Sequence, residues 1–344
     1  MKNVNAFTAM RLCALCVALC APGTAHVAQA RPAGTTTHYT FSVLSGAITR
    51  PADERSAQRL IDAASRAPAL SFVVYDGNLK GAHEACTDAL YARRHAILDA
   101  SRAPLVFVPG QRDWVNCVSP AAVSVDPLER LDQLRSTFFP DSASMGQRPL
   151  MLTRESETSR FQPYRENMRW QVGNTVFITL NLPGGNNHYL DAGGRNGEFE
   201  DRAIANASWL ERAGEYAKQR NARALVVFFE ASPFGKLAQR ADRFAWLRRI
   251  GRQQPADAYA EFRRSLVKLA QAFHGPIVLI HASDENLAHG FLIDQPLRND
   301  RGAKITNVTR VALGLHAPRA QWLHIDADTA RHPFLRVSVR NAPR

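Results

Sequence analysis

Short, near-continuous apolar runs alternate along the chain with longer stretches whose apolar positions recur every three or four residues. Tyr39 to Leu44, Ala69 to Tyr75 and Leu105 to Val108 are runs of strand length, and Asp53 to Ser65 and Ala82 to Ala100 between them carry helical spacing. A strand, helix, strand, helix, strand order predicts an α/β domain with parallel pairings. Each of these strands leads into a polar loop: Ser45-Gly46-Ala47, Asp76-Gly77-Asn78 and Gly110-Gln111-Arg112-Asp113. Ligands of open α/β sheets bind at the carboxyl ends of strands, so the chemistry is to be sought in these loops.

Further along, Asp126 to Phe138 predicts a helix, and Met168 to Leu182 a hairpin turning at Gly173-Asn174. Asp201 to Arg220 and Tyr259 to Phe273 are helical in pattern, and Ala224 to Phe229 and Pro276 to His281 are buried-type strands. Asn307 to Leu313, Gln321 to Ile325 and Phe334 to Val339 read as closing antiparallel strands. Residues 140–165 and 183–200 are expected to be long loops near the site. No internal repeat appears, and residues 38–344 form one expected domain behind a short Gly/Thr-rich joint at 31–37.

The first thirty residues have the composition of an export signal. Lys2 and Arg11 give a basic start, Leu12 to Ala21 an apolar stretch, and Ala28-Gln29-Ala30 a small-x-small cleavage site. An uncleaved anchor is the alternative, although the stretch is shorter than the roughly 20 residues of a spanning helix. The expected product is therefore periplasmic or secreted, with no transmembrane segment in the mature chain. Cleavage removes Cys13, Cys16 and Cys20, leaving Cys86 and Cys117 as a candidate disulfide, with two buried free thiols as the alternative.

Charge adds one constraint. The full chain carries +12, and the mature chain 41 − 31 = +10, because residues 1–30 hold two basic and no acidic side chains. Of the 43 basic residues only six are lysine. This excess favours anionic partners such as phosphate groups or an anionic membrane face. No arginine tract and no aromatic-interleaved basic stripe is present, which argues against nucleic acid; solvated surface arginine is the simpler account.

Several ordered pieces carry a resemblance. They are Phe72 to Gly81 around Asp76-Gly77-Asn78, then Cys86, then Val108 to Cys117, Leu128 to Leu131, Phe138-Phe139-Pro140 and Glu166 to Trp170. Gly185-Asn186-Asn187, Asn206 to Leu210, Ile280-His281-Ala282-Ser283, Asp294 to Leu297 and Asn307 to Val311 follow. In order and spacing, over residues 38–341, these resemble the calcineurin-like metallophosphoesterases, and most closely an exported branch of that superfamily. The resemblance implies a four-layer sandwich of two mixed β-sheets flanked by helices. It also implies a two-metal site at the strand ends, where paired divalent ions activate water and a shared carboxylate bridges them.

The chain departs from that pattern at its ligand positions. Gly46 stands where the first Asp is expected, and Asn78 where the bridging Asp is expected; a neutral amide is a poor bridge between two dications. Gly110-Gln111-Arg112-Asp113-Trp114 replaces the branch's Gly-Asp-Asn-Glu-Trp, which sets Arg112 at the usual catalytic histidine. Arginine stays protonated near neutrality, so it holds a phosphate without donating a proton. His281-Ala282-Ser283-Asp284-Glu285 keeps the first histidine of the last motif and loses the second.

Three readings follow. In the first, the metal centre is lost and Asn78, Gln111, Arg112, Asn186, Asn187 and His281 line a pocket for a phosphorylated or other anionic small molecule. In the second, Asp76, Asn78, Asp113, His281 and Asp284 hold a single Mn, Fe or Zn ion, and Arg112 and Asp113 form the catalytic loop of a rearranged hydrolase. In the third, a non-enzymatic protein interacts through its arginine-rich face. Each residue also has a plainer account: Asp76 and Asp113 as turn or cap residues, Asn186 and Asn187 as a turn, His281 as a core-edge histidine, and Trp114 and Trp170 as packing residues.

Overall fold

The three apolar runs that open the chain become adjacent parallel strands, and the helically spaced segments between them pack on one face of the resulting sheet. The computed structural model describes residues 37–190, 196–234, 256–283, 285, 287–314 and 320–342. The expected export signal and Asp284 lie outside the described residues. Thr35–Arg344 form one compact unit. In chain order the elements are β1 (His38–Leu44), α1 (Glu54–Ala64), β2 (Leu70–Asp76), α2 (Asp88–Asp99), β3 (Leu105–Val108), α3 (Gln111–Trp114), α4 (Pro127–Phe138), β4 (Thr153–Arg154), β5 (Met168–Val172) and β6 (Thr175–Thr179). There follow α5 (Gly197–Gln219), β7 (Ala224–Phe228), α6 (Ala260–Ala272), β8 (Ile277–Ala282), β9 (Phe291–Asp294), β10 (Val308–Leu313), β11 (Gln321–Asp328) and β12 (Leu335–Asn341).

Two mixed sheets result, one of five strands in the order β12-β11-β1-β2-β3 and one of seven in the order β4-β5-β6-β7-β8-β10-β9. In the first, β1, β2 and β3 run parallel while β11 and β12 are antiparallel. In the second, β6, β7, β8 and β10 run parallel between antiparallel flanks. The expected closing role of Asn307 to Leu313 needs correction. That run pairs in parallel with β8, Val308 opposite Ile277, inside the larger sheet. Parallel neighbours need a crossover of a dozen or more residues, and the connection from β8 to β10 through β9 supplies it. Both β4, only two residues long, and the exposed edge strand β9 lie in segments with no strand signal in the sequence.

Side-chain alternation explains the layers. In β8, Val278 and Ile280 join the core between the sheets, whereas Ile277 and Leu279 join the core under α5 and α6. Between the sheets, Phe41 and Phe72 of the first meet Trp170, Phe177 and Phe228 of the second edge-to-face, with centroids 4.9 to 6.1 Å apart. Each such ring contributes about 1.5–3 kcal/mol by leaving water. Outside the first sheet, α1 buries Ala57, Leu60, Ile61 and Ala64, the i, i+3, i+4, i+7 stripe of an amphipathic helix. Outside the second, α5 and α6 bring Trp209, Leu210, Phe262, Leu266 and Leu269. The architecture is α/β, with two mixed sheets face to face and helices on both outer faces. Cys86 and Cys117 are joined in a disulfide, Cα to Cα 5.4 Å, tying the start of α2 to the chain after α3.

Candidate functional site

The parallel strands of both sheets end on the same side. Gly46 N–H donates to the Gly77 carbonyl (3.1 Å) and Gly77 N–H to the Val108 carbonyl (2.8 Å), so the loops after β1, β2 and β3 are laced together. Opposite them lie the loops after β6, β7 and β8. The six loops surround a cavity of about 420 Å³ lined by Ser45, Gly46, Thr49, Asn78, Arg112, Gly184, Glu230, Ala231, Ser232, Ala282 and Ser283. Gly77 has φ +70°, and a Cβ there would meet Glu230 Cγ at 2.4 Å, so the two sheets approach too closely here for any side chain. Gly46 is the reverse: its φ is +54°, and a Cβ would have open space around it.

Glu230 organises the cavity. One oxygen accepts from Asn78 Nδ2 (3.1 Å); the other accepts from the backbone amides of Gln111 (3.2 Å) and Gly184 (2.7 Å). Burial pushes its carboxyl up to about 7 against these three hydrogen bonds, and the nearby Asp113 charge pushes the same way. Asn78 also accepts the Arg112 backbone amide on its Oδ1 (2.9 Å), so both ends of this amide are engaged by the protein. Arg112 lines the cavity, and its guanidinium has no hydrogen-bond or ion-pair partner among the described residues.

Asp76 ends β2, fully buried, with neither oxygen in a hydrogen bond among the described residues. Burial raises its carboxyl well above the usual range, the Glu230 charge adds to this, and the Ala282 amide opposes it only weakly. Asp113 has a different part. Its Oδ2 accepts the amides of Gly110 (2.8 Å) and Asn78 (3.0 Å), and its Oδ1 that of Leu79 (2.5 Å). This carboxylate staples the β2 loop to the β3 loop, and it is absent from the cavity lining. Burial raises it to about 6, opposed by those amides and by the Lys80 charge.

Of the remaining sequence candidates, those among the described residues do not line the cavity. His281 shares the outward face of β8 with Ile277 and Leu279 and stacks on Phe229, centroids 5.4 Å apart. Its Nδ1 lies 2.6 Å from the Ala282 carbonyl oxygen, and burial lowers the ring to about 4, so it is neutral at neutral pH. The strand's alternation presents Ala282, not His281, to the cavity. Asn186 and Asn187 belong, with Gly185 and His188, to four successive left-handed residues, φ between 56° and 61°.

Such a run costs roughly 1–2 kcal/mol per non-glycine residue and persists only when its surroundings fix it. Here Asn186 exchanges hydrogen bonds with Ala256 (2.8 Å) and Ala258 (3.2 Å). Asn187 N–H donates to Tyr259 Oη (3.0 Å), the Tyr259 hydroxyl donates to the Pro183 carbonyl (2.9 Å), and Arg202 donates to the Asn187 carbonyl (2.9 Å). These asparagines hold the chain, and the turn sets Gly184 N–H on Glu230. The Gln111 side chain packs against Gly184 and Gly185 at the rim, outside the cavity lining. Glu230 carries no motif; the signal for it is its position two residues past a buried strand.

A two-metal centre needs a bridging anion and several further ligands. The cavity offers Glu230 and, behind it, Asp76; Gly46 has no donor, the Asn78 amide is engaged at both ends, and Asp113 and His281 are turned elsewhere. Among the described residues no three His, Cys, Asp or Glu side chains gather to hold an ion. Among the described residues, the donor set does not fit a pair of divalent cations.

No helix among the described residues is long and apolar enough to cross a membrane. No family model and no curated protein matches the chain. Among solved structures it is similar to GAP50, the anchor in the inner membrane complex of Plasmodium, at 9% identity over 90% of this chain and 90% of that one, with a TM-score of 0.45.

Proposed function

We propose that this chain is an exported, calcineurin-like phosphoesterase relative that binds the phosphoryl group of a small molecule without hydrolysing it. The observation that carries this reading is the Arg112 guanidinium, unpartnered among the described residues, in a cavity at the strand ends whose donors do not fit two metal ions. A guanidinium matches phosphate oxygens in a fixed fork, whereas it repels a metal cation. The disulfide is in keeping with export into an oxidising compartment.

The test is titration of inorganic phosphate by calorimetry, with metal analysis and an aryl-phosphate assay containing Mn, Fe or Zn. Binding that is lost in Arg112→Ala, without turnover, supports the reading. About two tightly held ions per chain, or metal-dependent turnover, overturns it. A single-ion hydrolase is the second reading, and the orphaned Asp76 carboxyl beside Glu230 favours it. Turnover abolished by Asp76→Asn would select it.

A further inference from the structure

The cavity holds a guanidinium residue and a buried carboxyl, Arg112 and Glu230, that form no ion pair among the described residues. Glu230 is held back by its three donors: the Asn78 side-chain amide and the backbone amides of Gln111 and Gly184. Arg112 is fixed through its own backbone amide on Asn78 Oδ1. The Glu230 carboxyl and the Arg112 backbone are thus held by the two ends of one asparagine side chain. An anion lying on Arg112 shares the cavity with this acid, and Asp76, with no cationic partner for either oxygen among the described residues, is a second buried acid close behind. A ligand carrying only negative charge gives Glu230 no cationic partner; one carrying a cationic group beside its anion stabilises the ionised carboxylate.

The rest of the lining fixes the size and polarity of such a ligand. Among the described residues it contains no aromatic or large aliphatic side chain; besides glycine it has Ala231 and Ala282 against the hydroxyls of Ser45, Thr49, Ser232 and Ser283. Building on the phosphoryl-binding reading above, we infer that the cavity takes a small zwitterionic phosphomonoester, an aminoalkyl monophosphate, with its phosphoryl group on Arg112 and its primary ammonium on Glu230. The ammonium supplies the charge-assisted hydrogen bonds that the Glu230 carboxylate otherwise takes from neutral donors alone.

Calorimetric titration of the whole chain with O-phosphoethanolamine, ethyl phosphate, inorganic phosphate and ethanolamine tests this. O-phosphoethanolamine is expected to bind about tenfold tighter than ethyl phosphate, the gain of one charge-assisted contact. In Glu230→Gln the ratio between the two esters falls towards one. Equal affinity of the wild-type chain for both esters overturns the inference and leaves the phosphoryl reading standing; failure of every phosphate compound to bind removes both. Ethanolamine binding as tightly as its phosphate ester, or an unchanged ratio in Glu230→Gln, also overturns it. Should that variant not fold, the wild-type series decides alone.

Discussion

The acids packed against α5 and the acids at the cavity are the same kind of group in opposite surroundings. Glu198 receives Arg202 Nη2 at 3.1 Å and lies 3.1 Å from His188 Nδ1; burial pushes it up, but the Arg202 charge and the hydrogen bonds with Arg202 and His188 outweigh burial and hold it at about 2. Glu166 receives Arg135 through two bonds of 2.9 and 2.6 Å. At the cavity, among the described residues, Glu230 has neutral donors alone and neither Asp76 oxygen has a hydrogen-bond partner. Buried charges are costly unless paired, so a fold that supplies arginine to one set and withholds it from the other has separated a structural region from one left open to a ligand.

The largest effect is expected on the paired side. Arg202→Met leaves Glu198 buried without its guanidinium and releases the carbonyl of Asn187, at a cost of about 3–5 kcal/mol. A urea midpoint that hardly moves would show that this network is not what holds the left-handed turn.

The acids should also titrate with opposite sign. Glu230 binds its proton more tightly folded, near 7, than unfolded, near 4.5, so its contribution is full below pH 4.5 and is lost as pH rises through 7. That contribution is on the order of 3 kcal/mol. Glu198 behaves oppositely: its contribution is present above pH 4.5 and lost as pH falls towards 2. Unfolding at pH 5 and pH 8 should show the wild-type chain losing stability relative to Glu230→Gln at the higher pH; a constant difference would contradict the neutral-donor account of Glu230.

Gly77→Ala places a methyl 2.4 Å from Glu230 Cγ at a φ of +70° and should destabilise by about 1–3 kcal/mol. Full stability in that variant would mean that the two sheets part easily at the cavity. The smallest effect on folding is expected from Arg112→Ala, within about 0.5 kcal/mol, because its guanidinium has no protein partner among the described residues. The same variant should lose phosphate binding, and the contrast with Arg202→Met separates the two regions.

Much of the framework was legible in the chain, because strand and helix periods are local. β1, β2, β3, β7 and β8 fall where apolar runs stand, and the hairpin of β5 and β6 turns at Gly173-Asn174. β10 was legible as a strand but not as a parallel one, since nothing local tells a run which neighbour it will join. At the site, Asn78 and Arg112 were legible because the carboxyl-end rule places them in strand-end loops. The rule does not say which way a side chain points, and so Asp113 faced backbone amides and His281 the outer core. Glu230 obeys the same rule with no motif around it, and only the approach of the second sheet gives it partners.

By itself the sequence determined where most strands and helices form and that the strand ends carry polar loops. These are properties of residue order and side-chain chemistry. Only the tertiary structure decided that loops from two sheets close around one cavity, that Arg112 and Glu230 both line it with no ion pair between them among the described residues, and that Asp76 is buried at its edge. The reason is physical: pairing and burial depend on groups distant in the chain, such as the Asn78 amide and the Glu230 carboxylate, which meet only when the sheets pack.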